Sequence, residues 1–282
     1  MIRVGTIAEI RHAIAPHRQR DVVAFVPTMG ALHEGHAALI RAARAESSCV
    51  VVSVFVNPTQ FTDPGDLAAY PRQDAADDRI ARAAGAQYLF APSADEMYPS
   101  SFATTVDVGG AARGFESDFR PGHFQGVATV CVKLFSIVQP QLVFLGQKDA
   151  QQVAVLRQVV RDLNLDLSLR IVATVRDDGG LALSSRNARL SPHDRATAAA
   201  IPRALQAGLS AYEDGRDPAA AARAALAGLG VEYVDVAEFD GEPTLVIAAR
   251  AGATRLIDNV PLKHPALAGL PRRRSTDEVR HG

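Results

Sequence analysis

Short β-branched runs alternate with longer amphipathic stretches over the first 175 residues, and few architectures accept that pattern. VVAFV (22–26), VVSVFV (51–56), QYLFA (87–91), LVFLG (142–146) and LRIVATV (169–175) read as strands, because they are short, apolar and rich in Val, Ile, Leu and Phe. Between them, AALIRAARAE, DAADDRIARAAGA, GVATVCVKLFSIV and AQQVAVLRQVVRDL repeat apolar residues at spacings of three and four, as a helix with one buried face does. Strand and helix in alternation predict an α/β fold with a doubly wound, Rossmann-like parallel sheet. Its ligands would bind at the carboxyl ends of the strands.

After Val175 the texture changes. RDDGGLALSSRN is a polar, glycine-containing loop, an alanine-rich helical region follows over about 192–229, and EYVDVAEF and TLVIAARAG read as two short strands. A chain of 282 residues exceeds what one core usually holds. We therefore expect residues 1–175 to form the ligand-binding domain and 176–282 a smaller α+β lid domain. The tail PRRRSTDEVRHG would be solvated and frayed.

Thirty Lys plus Arg balance thirty-one Asp plus Glu, a net charge of -1, so no global field draws the chain to nucleic acid or to an anionic membrane. Any bound anion must be captured locally. The two cysteines, Cys49 and Cys131, both sit inside apolar runs, as buried thiols in a reducing compartment do, and a cytoplasmic protein is expected. The N-terminus MIRVGTIAEIRHAI has no apolar core of a signal peptide, and no apolar run is long enough to span a membrane.

Chemistry concentrates where the apolar runs end. PTMGALHEGH (27–36) joins the first run to a helix, an arrangement expected to offer unpaired backbone N–H groups and a positive dipole end to phosphate. His33 and His36 stand three residues apart at the helix start, and Gly30 and Gly35 would admit close approach of a phosphate. H-E-G-H is one residue short of the H-E-x-x-H zinc spacing, which leaves phosphate binding or an ordinary histidine pair. NPTQF (57–61) brings Asn57 and Gln60 to the same sheet edge, GQKDAQQ (146–152) brings Lys148, with Asp149 expected to cap the next helix, and LSSRN (183–187) offers two hydroxyls and a guanidinium. A surface lysine and a serine-rich turn are the plain alternatives. RPGHFQGV (120–127) places Arg120 and His123 where they line the cleft or merely end a loop, and His123 reads as structural. His12, His17, His193, His264 and His281 have no partner motif.

These motifs, with YPR (70–72) and the late TRLIDN (254–259), occur in an order that resembles the pantothenate synthetase (pantoate-beta-alanine ligase) family of the HxGH nucleotidyltransferase-like superfamily. The resemblance implies that pantoate attacks ATP to give pantoyl adenylate and pyrophosphate, and that β-alanine then displaces AMP to give pantothenate. It implies ATP contacts from Met29, Gly30, Ala31, Leu32, His33, Glu34, Gly35 and His36, with His36 as proton donor and His33 on the phosphates. Gly146, Gln147, Lys148 and Asp149 would form a second ATP segment, with Lys148 on the transferring phosphate. Val175 would contribute backbone contacts, and Leu183, Ser184, Ser185 and Arg186 would close over the phosphates.

Gln60 and Gln152 would hold pantoate, with Gln60 also serving β-alanine. Neutral amides suit a carboxylate that must attack. A Mg²⁺ held mainly by the nucleotide is implied, with Asp149 as the one candidate carboxylate, and so is a homodimer. Gln147, Ala150 and Leu183 stand where the family more commonly has Glu, an aromatic residue and Met, departures that bear on nucleotide affinity. Two alternatives remain: an HxGH-type nucleotidyltransferase with a different acceptor, for which Lys or Arg would be expected in place of Gln60 and Gln152, and a nucleotide sensor that has lost its chemistry.

Overall fold

The expected parallel sheet forms with six strands rather than five. A computed structural model describes residues 1–270, so the arginine-rich tail and His281 lie outside the described residues. The strands are β1 (Ile2–Val4), β2 (Val23–Thr28), β3 (Cys49–Val54), β4 (Tyr88–Phe90), β5 (Leu142–Gly146) and β6 (Ser168–Val172), paired in the order β1-β4-β3-β2-β5-β6, all parallel. Chain order reverses between β2 and β5. At such a switch point the loops leaving two adjacent strands diverge and open a crevice at their carboxyl ends.

Alternation along the strands divides the interior into two cores. Val23, Phe25, Cys49 and Val51 pack towards the helices Ile7–Arg18, His123–Val138 and Ala150–Asp162, whereas Ala24, Val26, Val50 and Val52 pack towards Glu34–Glu46 and Asp74–Ala84. Each fully buried Val, Leu or Phe contributes about 1.5–3 kcal/mol of transfer free energy, and together they fix which strand ends face the crevice. Cys49 and Cys131 are free and buried, and burial raises their thiols to about 11 and about 12.

Strand β1 is not legible in sequence because three residues carry no period. β6 ends at Val172 instead of continuing to Val175, since the Thr174 N–H turns away to the Leu267 carbonyl at 2.9 Å. The alanine-rich region is three helices, Pro192–Ala198, Ala200–Glu213 and Pro218–Ala224. Proline at the first position, with Ser191 and Asp217 as side-chain caps, starts the first and third of them.

They cover an antiparallel sheet of three strands, not two, in the order β7 (Gly230–Phe239), β8 (Glu242–Ala251), β9 (Thr254–Pro261). β9 contains TRLIDN, whose apolar pattern is broken by Arg255, Asp258 and Asn259. Those side chains are spent on tertiary contacts. Arg176 forks onto the Asp258 carboxylate at 2.6 and 3.1 Å, with the pair almost wholly buried, and so ties the chain just after β6 to the smaller sheet. No helix among the described residues is long and apolar enough to cross a membrane.

Candidate active site

A cavity of about 760 Å³ opens at the carboxyl ends of β2 and β5 and is bounded on its far side by β8 and β9. That is the size of an ordinary small-molecule site. Met29, His33, Gly35, His36, Gln60, Gly146, Lys148, Asp149, Gln152, Val175 and Leu183 to Arg186 all line it. Gly30, Ala31, Leu32 and Gln147 stand behind the lining, whereas the Glu34 side chain is exposed to solvent and pairs with Arg41.

The turn after β2 does not present the free N–H groups expected of a phosphate cradle. Gly30 and Ala31 adopt positive φ, and the N–H groups of Ala31 and Leu32 donate to the Asp77 carboxylate at 3.0 and 2.7 Å. Asp77 is 1% exposed and comes from the helix Asp74–Ala84. An internal carboxylate therefore holds the loop in shape. Sequence reasoning passed over Asp77, yet it occupies the same face as Ala81 and Ala84, where a charge on an apolar stripe is the available signal.

Asp77→Ala should lower stability by on the order of 2–4 kcal/mol by stranding two buried donors, and weaken ATP binding at least about tenfold, with Asp77→Asn between. Urea unfolding and nucleotide titration measure both. Wild-type values in the alanine variant would dismiss the loop-holding role.

The two histidines cap the helix they begin. His33 Nδ1 accepts the Gly35 N–H at 3.2 Å and His36 Nδ1 accepts the His33 N–H at 3.3 Å, so in each neutral ring the proton resides on Nε2. Gly35 has a different reason from the one expected: a Cβ there would lie 2.9–3.0 Å from the folded-back His33 ring. The rings stand 4.2 Å apart. Burial, then the Lys148 charge, lowers His33 to about 4. Burial, then His33, lowers His36 to about 3. Both are thus neutral N–H donors at physiological pH.

Buried His123 is also lowered to about 4, chiefly by burial. Unfolding returns the three rings to ordinary values near 6.5, so below that pH the unfolded chain takes up protons that the folded one refuses. Stability should be flat above pH 7 and fall between about 6.5 and about 4, by about 1.4 kcal/mol per pH unit for each ring. Urea midpoints at pH 5 and 7.5 check the sign, and equal values would contradict it.

Lys148 leaves β5 with its Nζ 3.1 Å from Asp149. Asp149 occupies the position before the helix Ala150–Asp162 without bonding its backbone; the expected cap is absent because the carboxylate turns to Lys148. Asn259 on β9 donates to the Gln147 and Lys148 carbonyls at 3.0 and 2.8 Å and accepts from the Gln147 amide at 3.0 Å. A glutamate at 147 could not donate that last bond, so glutamine at this departure matches Asn259. The TRLIDN motif marks the position of Asn259, and only tertiary pairing gives it this role.

Gln60 sits in a 3₁₀ turn, Pro58–Gln60, packed so tightly on the helix His123–Val138 that a Cβ on Gly126 would fall 2.5–2.7 Å from the Thr59 and Gln60 backbone. Its side-chain oxygen accepts from Asn57 at 3.0 Å, and Tyr98 in turn donates to Asn57 at 2.8 Å. His123 Nδ1 holds the Gln60 carbonyl at 2.9 Å, which agrees with a structural His123. Across the cavity the Val175 carbonyl accepts the Leu183 N–H at 2.9 Å, Ser184 caps the turn Ser185–Arg189, and the Ser185 hydroxyl lies 3.4 Å from that of Tyr70. Arg186 bonds the Asp66 carboxylate at 3.0 Å. Asp66 is likewise not legible as a cavity residue, and Tyr70 is legible only as the start of the YPR motif.

The lining therefore combines neutral imidazole donors, a lysine, an arginine and serine hydroxyls with two amides, Gln60 and Gln152. Such a set is suited to stabilising phosphate charge.

The family model described as pantoate-beta-alanine ligase matches residues 3–261. A pantothenate synthetase of Rhizorhabdus wittichii is 49% identical over 276 residues, 92% of this chain and 98% of its own, and one of Moorella thermoacetica is 44% identical over 275 residues, 92% and 97%. Among solved structures, pantothenate synthetase from Thermus thermophilus superposes with a TM-score of 0.88 at 42% identity, covering 93% of this chain and 99% of the other. Pantoate-beta-alanine ligase from Francisella tularensis, in complex with beta-gamma ATP and beta-alanine, superposes with a TM-score of 0.82 at 34% identity, covering 93% and 98%.

Proposed function

The chain belongs to the pantoate-beta-alanine ligase family, and from that premise we propose that it joins (R)-pantoate to β-alanine in two ATP-driven steps through pantoyl adenylate. In the first, a pantoate carboxylate oxygen bonds to the α-phosphorus while the bond from that phosphorus to the pyrophosphate bridging oxygen breaks. In the second, the β-alanine nitrogen bonds to the acyl carbon, the acyl–phosphate C–O bond breaks, AMP leaves and the nitrogen's surplus protons pass to solvent, one N–H remaining in the amide. The product is pantothenate.

One observation carries the reading: a single cavity is lined both by phosphate-stabilising groups, among them His33, His36, Lys148 and Arg186, and by two neutral amides, Gln60 and Gln152. Neutral Gln60 and Gln152 orient a carboxylate without pairing with it, so its attacking electrons stay available. The Nε2–H groups of His33 and His36 and the Lys148 ammonium face the charge that moves onto the leaving phosphates. No group on the enzyme is consumed.

The donor set also fits Mg²⁺ held mostly by nucleotide phosphates and water. Asp149 is a carboxylate in the lining, and among the described residues no three His, Cys, Asp or Glu side chains converge. When bound, the ion would neutralise phosphate charge. Residues 176–282 as a lid, a homodimer and a cytoplasmic setting belong to the same proposal.

Incubation with ATP, Mg²⁺ and pantoate, with and without β-alanine, followed by mass spectrometry, tests it. Pantothenate and AMP forming only when β-alanine is present support the ligase. A stable adenylylated product points instead to a nucleotidyltransferase with another acceptor, and ATP binding without turnover points to a sensor.

A further inference from the structure

Among the described residues six cations line the cavity: Lys148, Arg186, Arg189, Arg250, Arg255 and Arg120. Five are already matched by carboxylates of this chain. Lys148 pairs with Asp149, Arg186 and Arg189 share Asp66, and Arg250 pairs with Glu232. Arg255 is saturated, with two nitrogens on Glu116 at 2.6 and 2.8 Å and its Nε on Glu232 at 2.6 Å.

Arg120 differs. Its nearest carboxylate oxygen, Glu116 Oε2, lies 3.7 Å away and already accepts from Arg255 at 2.8 Å. Its other partners are neutral: His123 Nε2 at 3.0 Å and the Gln60 carbonyl at 3.4 Å. The side chain is 18% exposed, and of five N–H donors only these two are engaged by neutral groups. A largely buried guanidinium short of counter-charge is costly unless something else neutralises it.

We propose that Arg120 receives the carboxylate of β-alanine and so selects an amino acid over a plain amine, an inference that rests on the ligase reading above. The second substrate is a zwitterion whose amine must reach the acyl carbon while its carboxylate is held away from it. A cation on the pantoate carboxylate would blunt the first step, and Gln60 and Gln152 avoid that. Arg120 touches the backbone carbonyl of Gln60, so it stands beside that pantoate amide without replacing it. Burial, then the Arg186 charge, brings its pKa down to about 10, as expected of a cation awaiting an anion. His123 also donates to the Gln60 carbonyl, and at 2.9 Å, which keeps Gln60 in place when the guanidinium is removed.

The test compares wild type with Arg120→Gln and Arg120→Lys. Adenylation is read by pantoate-dependent ATP–pyrophosphate exchange without amine, and amide formation is read with β-alanine, β-alaninamide and 3-aminopropanol. Arg120→Gln should raise the β-alanine KM by on the order of ten- to a hundred-fold, the loss expected for charge-assisted bonds, while exchange falls no more than about threefold. The preference for β-alanine over the two amines that lack a carboxylate should collapse by the same factor. Arg120→Lys should recover part of it through charge alone.

An unchanged β-alanine KM in both variants overturns the proposal. A parallel fall in exchange and amide formation also overturns it, because Arg120 would then only support Gln60. Wild-type protein without exchange would overturn the ligase reading itself, and this inference with it.

Discussion

Replacing Lys148 by alanine should slow the proposed adenylation of pantoate by on the order of a hundred- to a thousand-fold, the usual loss when a preorganised electrostatic donor is removed, or about 3–4 kcal/mol of barrier. The side chain is only 20% exposed, so its charge acts across a medium that screens it poorly. The backbone is fixed as well: Asn259 bonds the Lys148 carbonyl at 2.8 Å and the Gln147 carbonyl at 3.0 Å, so the ammonium swings on a pinned stem. ATP binding should fall much less than the rate, because other groups hold the ground-state phosphates. Lys148→Arg should restore only part of the rate, since a planar fork cannot occupy the place of a compact, rotatable ammonium. Pyrophosphate release with ATP and pantoate measures the effect. A rate within about threefold of wild type for the alanine variant would remove Lys148 from the chemistry.

His36→Ala should produce a loss of similar size, on the order of a hundred-fold or more, for a different reason. Its ring contributes a neutral Nε2–H donor and, through Nδ1, the bond to the His33 N–H that shapes the helix start. His36→Glu separates the two roles, because a carboxylate accepts the same backbone N–H but donates nothing to phosphate. The glutamate variant should keep near-wild-type thermal stability while adenylation stays depressed. If it recovered activity, capping alone would explain the residue. With the ring lowered to about 3 by burial and by His33, the rate should show no inflection near the ordinary imidazole value of about 6.5 from this group. An imidazolium-like inflection there would contradict a neutral donor.

Much of the site could be read from the chain because its residues occur in short segments at the ends of apolar runs. LVFLG and the strand Leu142–Gly146 coincide, and the motif that follows delivers Lys148, Asp149 and Gln152 to the cavity. PTMGALHEGH likewise yields the positions of His33 and His36. What it does not yield is how the turn is held. The expected phosphate cradle is occupied by Asp77, some 45 residues on, and Gly35 accommodates the His33 ring. Asp149 was expected to cap a helix and pairs with Lys148 instead, a choice between two nearby partners that local propensity does not decide.

Periodicity and turn chemistry are properties of neighbours in sequence, so the chain by itself determined the alternation of strands and helices, the parallel sheet, the buried thiols and the loops that carry the imidazoles, the lysine and the amides. Pairings between distant segments depend on which backbones come within hydrogen-bond reach once the cores have packed. The third strand of the small sheet, the Arg176–Asp258 pair, the grip of Asn259 on the lysine loop and the long, shared pairing of Arg120 with Glu116 are therefore decisions of the tertiary structure. In β9 the polar side chains that obscured the strand in sequence are the ones that join it to the site, because a residue spent on a long-range contact is lost from the local pattern.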